Sequence, residues 1–213
     1  MTEPSRAQVD ALQSGDGAAW TAVVRWLQPQ LDGFFISGGA PDHEALTQET
    51  LLRMSRYIAK FVDGGAPELR AWAFAIARTT RIDEARRAAA RPRSIPASAR
   101  AGEETGTLET ADPDADHTEQ VADLDRLAQL LDQLTPQQSE LLRMRMVGDL
   151  TLEHAARILG IELGAAKQLQ RRALRRLATI LDAEQAATPV PTGAGPRDER
   201  HLHRGSRSSG TPP

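Results

Sequence analysis

Cationic side chains at helical spacing mark one short stretch of the 213-residue chain, from Gly164 to Ala178. The stretch contains no Asp or Glu, and its cations are Lys167, Arg171, Arg172, Arg175 and Arg176. On a helix these side chains share one face, while apolar residues such as Leu169 and Ala173 fall on the other. Cations without intervening acids repel one another and require a polyanion to neutralise them. The pattern therefore favours DNA phosphates and base edges as the ligand over a merely solvated helix face.

The elements before this stretch are those needed to hold it against a double helix. TPQQ at 135–138 predicts a helix start, with Thr as N-cap and Pro in the first turn. A short helix over 151–159, a turn at Gly160 and a longer helix over 164–182 follow. Glycine suits such a turn because it adopts the left-handed conformation without a Cβ clash. Small Ala155 and Ala156 allow the two helices to cross closely, so the sequence predicts a helix-turn-helix.

The N-terminal half contains three amphipathic helices and a second group of cations. Apolar periodicity predicts helices over 18–35, 43–62 and 68–89, separated by the breaks ISGGAPD and DGGAPE. Five arginines lie in or beside the third helix: Arg70, Arg78, Arg81, Arg86 and Arg87. Since only Asp83 and Glu84 oppose them, we expect several to contact phosphates. Arg86 and Arg87 alternatively suit a helix C-terminus through its dipole.

The composition changes between the two helical halves. Nine acids and no Lys or Arg lie between Ala101 and Asp125, and without these acids the formal net charge of −3 would be +6. Such a segment buries too little apolar surface to offset its ordering entropy. The expected fold is all-α, with two small helical domains joined by a flexible acidic linker. The predicted bounds are an N-terminal extension at 1–17, a helical domain at 18–91, the linker at 92–120, the helix-turn-helix domain at 121–183 and a disordered tail at 184–213.

Composition also argues against other chemistries. The absence of cysteine rules out disulfides, zinc–thiolate sites and cysteine nucleophiles, and is typical of a cytoplasmic protein. His43 and His154 each adjoin a Glu, but neither belongs to a His-Glu-x-x-His pattern, so no metal site is expected. The sequence contains no catalytic constellation, no phosphate loop and no apolar run long enough for a membrane span. We therefore expect a cytoplasmic protein that is not an enzyme, needs no cofactor and does not insert into a membrane.

Two long stretches resemble the extracytoplasmic-function (ECF) RNA polymerase sigma factors. The C-terminal stretch is similar to region 4, the promoter-binding domain of that family, in LDQLTPQQSELLRMRMVGDLTLEHAARILGIELGAAKQLQRRALRRL. Two N-terminal stretches resemble region 2 of the family. LTQETLLRMSRYIAKF is similar to the family's helix that binds the polymerase clamp, and LRAWAFAIARTTRIDEARR is similar to the segment that melts and reads the −10 element. Both regions occur in the expected order, with an acidic linker between them.

The resemblance implies a role for each group of residues. The polymerase-binding face comprises Glu44, Gln48, Glu49 and Arg53. The −10 group comprises Phe61, Asp63, Arg70, Trp72, Arg78, Arg81, Arg86 and Arg87, with Phe61 or Trp72 as an exposed aromatic on which an unpaired base stacks. The −35 group comprises Lys167, Gln168, Arg171, Arg172, Arg175 and Arg176. We expect the first three of these to read bases and the last three to hold phosphates.

The chain departs from the family pattern in two places. Ala45 stands where the family often has Asp, and Leu169 and Gln170 replace an Arg and a Leu of the recognition helix. The promoter sequence therefore does not transfer from relatives. The resemblance also implies that the acidic linker threads positively charged polymerase channels, either as a mimic of RNA or as a plain solubilising spacer.

The expected function is that of an alternative sigma factor, which binds core polymerase, recognises −10 and −35 elements and initiates transcription. Its expected partners are the clamp and flap of bacterial core polymerase and promoter DNA, with an anti-sigma factor as a further candidate. Two alternatives stay open. One is a stand-alone helix-turn-helix regulator that binds duplex DNA as a dimer without polymerase. The other is a helical adaptor whose basic face binds an acidic protein.

Overall fold

The computed structural model describes residues 2–62, 64–90 and 115–187, with side chains from 122 to 185 in the last range. Within these ranges all regular structure is helical, which confirms the all-α prediction. The helices are α1 (Arg6–Ala11), α2 (Gly17–Ile36), α3 (His43–Tyr57), α4 (Ala66–Ala90), α5 (Ala115–Leu131), α6 (Pro136–Met146), α7 (Leu152–Leu159) and α8 (Leu163–Ala187). A 3-10 turn, Ile58–Lys60, follows α3. Asp63, residues 91–114, which include most of the predicted linker (92–120), and the tail from 188 lie outside the described residues.

Helices α2, α3 and α4 build the N-terminal domain around one apolar core. Asp16 begins α2 by accepting a hydrogen bond from the backbone N–H of Ala19 (2.8 Å), which satisfies a donor that the helix start leaves unpaired. Phe34 packs edge-to-face against Phe35 and Phe74, with ring centroids 5.5 and 5.3 Å apart. All three rings are fully buried, so the few aromatic side chains of the chain are concentrated where the helices meet.

The segment predicted as an N-terminal extension contributes a helix to this domain. Ser5 and Gln8 form a capping box at the start of α1. Val9 and Leu12 are buried in the N-terminal core, and the Gln13 side-chain amide donates a hydrogen bond to the backbone carbonyl of Phe61 (2.7 Å). Six residues make fewer than two helical turns, so α1 is too short for an apolar period to show in the sequence.

A capping box also begins the C-terminal domain, as TPQQ predicts. Thr135 Oγ1 accepts a hydrogen bond from the backbone N–H of Gln138 (3.4 Å), and the Gln138 side chain accepts one from the backbone N–H of Thr135 (3.1 Å). Helices α6, α7 and α8 pack against one another, and Leu131, Leu142 and Ala173 are buried in a cluster of their own. The predicted order of helix, short helix and basic helix is therefore confirmed.

Two helix boundaries differ from the predicted domain limits. The sequence predicts a linker up to residue 120, whereas α5 begins at Ala115. Acidic residues suit a helix N-terminus because they interact favourably with its dipole. An acidic composition is therefore compatible both with a linker and with the first turns of a helix. At the other end, α8 continues to Ala187, past the predicted domain limit at 183.

The two domains pack directly against each other. Leu141, Met144 and Leu150 of the C-terminal domain are buried in the same apolar cluster as the N-terminal core. The connection from α6 to α7 fits closely against α4: a Cβ at Gly148 would lie 2.6 Å from the Phe74 ring. The absence of a side chain at Gly148 is therefore what allows the two domains to approach this closely.

We predict that Gly148→Ala lowers the free energy of unfolding by about 1–3 kcal/mol, because its Cβ has to displace the buried Phe74 ring. The Cβ would also lie 2.8 Å from the backbone carbonyl oxygen of Met144, which has little room to move. Chemical denaturation measures the change.

Gly17→Ala is the matched control, since a Cβ there meets nothing within 4 Å and replaces a helical glycine. It should be neutral or more stable than the parent by up to about 1 kcal/mol. Equal stability of the Gly148 and Gly17 variants would contradict the close domain packing.

Candidate nucleic-acid interface

The helix-turn-helix fixes the orientation of the basic helix α8. Gly160 ends α7 in the left-handed conformation (φ 69°, ψ 34°), as its sequence position predicts. Ala155 and Ala166 are completely buried, so the two helices meet at small side chains. Leu169 and Leu177 are buried as well, on the face predicted to be apolar. Because this face is packed against the domain, the opposite face of α8 is directed to solvent.

All six side chains of the predicted −35 group are exposed on that outer face: Lys167, Gln168, Arg171, Arg172, Arg175 and Arg176. Within the described ranges the five cations among them form no ion pair, and Leu174 lies half-exposed between them. An exposed basic face of this kind can neutralise a row of phosphates. The structure thus brings this predicted group together on one surface.

The arginines predicted for the −10 element are divided between two environments. Arg70, Arg78 and Arg81 are directed towards the C-terminal domain rather than to solvent. Arg70 Nη1 lies 3.0 Å from Asp149 Oδ2, and its guanidinium also stacks 5.5 Å from the Trp26 ring. By contrast, the last two arginines of the group, at the C-terminal end of α4, are exposed.

A second carboxylate, Glu140 of α6, also connects the two domains electrostatically. Its Oε1 accepts a hydrogen bond from Arg81 Nη2 (2.7 Å), and its Oε2 lies 3.3 Å from Arg78 Nε. Glu140 and the neighbouring Arg143 are both buried. Burial, reinforced by the charge of Arg81, lowers the pKa of Arg143 to about 10. The guanidinium groups of Arg78 and Arg81 therefore share one carboxylate, and Arg143 interacts electrostatically with both Glu140 and Asp132.

The exposed aromatic residue is not the one that the sequence favours. The prediction of Phe61 as an exposed ring is wrong: it is 7% exposed and packs against Trp72 with ring centroids 5.5 Å apart. Trp72 is partly buried and lines a cavity of about 490 Å³ together with Lys60 and Arg157. Tyr57 is 47% exposed, and the Lys60 ammonium lies 4.9 Å from its ring centroid. A single tyrosine beside a lysine was the sequence signal that would have identified it.

The predicted polymerase-binding group on α3 also divides. Glu44 and Gln48 are exposed one turn apart, opposite the buried Leu46 and Met54, and the half-exposed Leu52 continues their stripe by a further turn. These three side chains form one accessible face.

The other two members of that group pair with each other, and Arg53 also holds α3 against α4. Arg53 Nε donates a hydrogen bond to Glu49 Oε1 (2.7 Å), and Arg53 Nη1 donates one to Asp83 Oδ2 (2.9 Å). These two hydrogen bonds, above all the one to Glu49, raise the pKa of Arg53.

Metal-ligating side chains are dispersed in the described part of the chain, where no three of them come together. Burial lowers the pKa of His154, and the charge of Arg157 adds to this effect. Among the described helices, none is long and apolar enough to cross a membrane.

The fold and its basic surface define a two-domain helix-turn-helix protein of the DNA-binding class. Family models match both halves: sigma-70 region 2 over residues 33–91 and sigma-70 region 4 over residues 130–179. The chain belongs to the ECF RNA polymerase sigma factors, non-catalytic DNA-binding regulators that direct promoter recognition and transcription initiation.

Two curated relatives carry this assignment. ECF sigma factor SigL of Mycobacterium tuberculosis is 32% identical over 176 residues, which cover 79% of this chain and 94% of SigL. BldN of Streptomyces coelicolor is 34% identical over 154 residues, which cover 70% of this chain. The match spans only 54% of the length of BldN.

Two solved structures share the fold. CnrH, determined in complex with the cytosolic domain of CnrY, has a TM-score of 0.61 at 21% identity, covering 84% of this chain and 98% of that one. RpoE of Bartonella quintana, determined in complex with the anti-sigma factor NepR, has a TM-score of 0.56 at 25% identity, covering 77% of this chain and 97% of that one.

We predict that Arg53→Ala lowers the free energy of unfolding by about 1–2 kcal/mol, because its charge-assisted hydrogen bonds, to Glu49 on the same helix and to Asp83 on α4, are lost. Chemical denaturation of the full chain measures it. Arg56→Ala is the control, since Arg56 is exposed on the same helix and should change stability by less than about 0.5 kcal/mol. If both variants unfold at the same denaturant concentration, the hydrogen bonds of Arg53 do not stabilise the packing of α3 against α4.

Proposed function

We propose that this chain is an alternative sigma factor that combines with core RNA polymerase and directs it to promoters. In this role the chain itself contacts both the −35 and the −10 element. The observation that carries the proposal is the exposed basic face of α8, held by a helix-turn-helix in a chain that also carries region 2. The proposed role has no catalytic step of its own. Its setting is the cytoplasm, where the polymerase acts.

The recognition helix α8 is proposed to lie in the major groove of the −35 element. Lys167, Gln168 and Arg171 are nearest its N-terminal end, from which side chains of recognition helices reach base edges. Arg or Lys favours guanine, and Gln can pair with adenine. Arg172, Arg175 and Arg176 lie further along the helix and are proposed to hold phosphates.

Region 2 is proposed to melt and hold the −10 element. Tyr57 offers an exposed ring for an unpaired base, and the neighbouring Lys60 can neutralise the adjoining phosphate. Trp72 lines the nearby cavity, with the buried Phe61 as its support. Arg86 and Arg87 are already exposed for phosphate contacts, whereas Arg70, Arg78 and Arg81 require the domains to separate. Asp63 lies outside the described residues and stays a candidate from the sequence alone.

The polymerase clamp is proposed to contact Glu44, Gln48 and Leu52, the accessible stripe on α3. Arg53 holds that helix against α4 through Asp83, and Glu49 fixes the Arg53 side chain from the same helix. The C-terminal domain is proposed to contact the polymerase flap. Because the related RpoE is held by the anti-sigma factor NepR, we propose a protein antagonist of that class for this chain as well.

Run-off transcription with purified core polymerase on a genomic promoter pool tests the function. We expect defined transcripts only when the chain is present, and weak promoter binding by the chain alone. Tight binding to a two-fold duplex site without polymerase, together with no transcripts, would instead identify a stand-alone regulator.

We predict that Gln48→Lys weakens association with core polymerase by roughly tenfold, since it places a new charge in the centre of the proposed contact. Gln28→Lys is the matched control, because Gln28 is an exposed glutamine on α2, outside that stripe. Binding to immobilised core enzyme compares the two. Equal affinities for both variants would refute the assignment of this stripe.

A second prediction separates base reading from phosphate binding on α8. Arg171→Ala should cost about 1–3 kcal/mol and relax the preference at one position of the −35 element, if its contact is bidentate. Arg175→Ala should weaken all promoters about equally and reduce the salt dependence by about one phosphate contact. A selection on randomised −35 sequences with each holoenzyme measures both effects. An unchanged preference at every position in the Arg171 variant rules out its base-reading role.

A further inference from the structure

The turn between α6 and α7 occupies a site on the N-terminal domain. Gly148 packs against the Phe74 ring of α4, and Val147 Cγ1 would lie 2.8 Å from a Cβ at Gly33 of α2. Leu150 is 1% exposed beside them. Asp149, within the same turn, adopts a positive φ of 46°, which is uncommon for a residue other than glycine. The turn is therefore held tightly between α2 and α4.

The charges at this contact pair every inward-facing arginine of α4 with an acid of the C-terminal domain. Asp149 receives a hydrogen bond from Arg70, and Glu140 contacts both Arg78 and Arg81. A carboxylate and a phosphate present the same feature to a guanidinium, namely anionic oxygens that accept its N–H groups. The two acids therefore occupy positions that DNA phosphates require.

We propose that the α4 surface formed by Arg70, Phe74, Arg78 and Arg81 is one binding site with two alternative occupants. In the free chain it holds the α6–α7 segment, and in the promoter complex it holds the phosphates of the melted −10 strand. The inference rests on the proposed function, because it assumes that region 2 binds that strand. The C-terminal domain thus competes with single-stranded DNA for the same arginines.

Two features make this contact suited to exchange rather than permanent closure. Arg78 and Arg81 share the Glu140 carboxylate, and the buried Arg143 interacts electrostatically with Arg81, Glu140 and Asp132, so positive charge is in excess at this contact. The Nε atoms of Arg70, Arg78 and Arg81 are buried without a hydrogen-bond partner, although Arg78 Nε makes the ion pair described above. A phosphate backbone supplies more acceptor oxygens than Glu140 does, and so relieves both deficits.

The two DNA-binding surfaces therefore differ in the free chain. The α8 face is exposed in the closed arrangement, whereas the α4 site is partly covered: Phe74 is fully buried, and the side chains of Arg78 and Arg81 are 32% and 29% exposed. We expect closure to block single-stranded DNA and to leave duplex DNA binding unchanged. This difference separates competition at α4 from a general loss of DNA binding.

A reversible covalent lock tests the proposal directly. The chain has no cysteine, so Gly33→Cys with Val147→Cys creates a unique pair at a contact already within disulfide reach. Two fluorescein-labelled probes of mixed sequence, one single-stranded and one duplex, are titrated with the oxidised and the reduced protein. Oxidation should weaken single-stranded binding at least about fivefold and leave duplex binding within about twofold. DNA binding by α8 contributes equally to the oxidised and the reduced protein, because α8 is exposed in both.

Glu140→Gln gives an independent measurement that keeps all four α4 residues. It should increase the radius of gyration in X-ray scattering and raise single-stranded binding at least about fivefold, because the competing carboxylate is removed. Arg143→Met is the control with the opposite change of charge. It removes a positive charge from the closed contact, so it should not raise single-stranded DNA binding. Single-stranded affinity that is equal in the oxidised and reduced proteins, or unchanged in Glu140→Gln, overturns the inference.

The proposed function fails separately, if the unmodified chain yields no transcripts with core polymerase. A chain that initiates transcription equally well when oxidised and reduced overturns only the competition at α4.

Discussion

The ion pairs of Glu140 with Arg78 and Arg81 are the constraint on which the arrangement of the two domains depends. A buried carboxylate requires partners, because an unpaired charge away from water is costly. The nearest partners are on the other domain, so α6 is oriented against α4. That orientation directs the α6–α7 turn into the groove beside Phe74, and it covers the arginines nearest the domain boundary. The same contact therefore holds the chain compact and conceals part of its proposed DNA-binding surface.

Positive charge is used in two different ways in this chain. On α8 it is exposed and without ion-pair partners among the described residues, so it can attract a polyanion at long range. On α4 it is partly buried and matched to acids of the other domain. Because short-range hydrogen bonds in a desolvated contact are stronger than screened surface pairs, the α4 arginines require an exchange of partners before they bind DNA. The overall charge of −3 reveals neither arrangement.

Small residues determine how closely the helices approach. Ala155 and Ala166 bring α7 and α8 together, and Gly160 permits the left-handed turn between them. Gly148 has the same role between domains, where any side chain would meet Phe74. Aromatic rings fill the space that remains in the N-terminal core. The basic face of α8 is thus positioned by residues that themselves carry no charge.

The sequence by itself determined helices α2 to α4 and α6 to α8, the Thr135 capping box, the Gly160 turn and the exposed stripe on α8, because each depends on residues within a few positions of one another. Tertiary structure alone decided the burial of Phe61, the packing of α1 and the partners of Arg53. It also decided the partners of the α4 arginines, since Arg81 and Glu140 are 59 positions apart. An amphipathic pattern states which face of a helix is polar, but the partner of each polar group follows from how the helices pack.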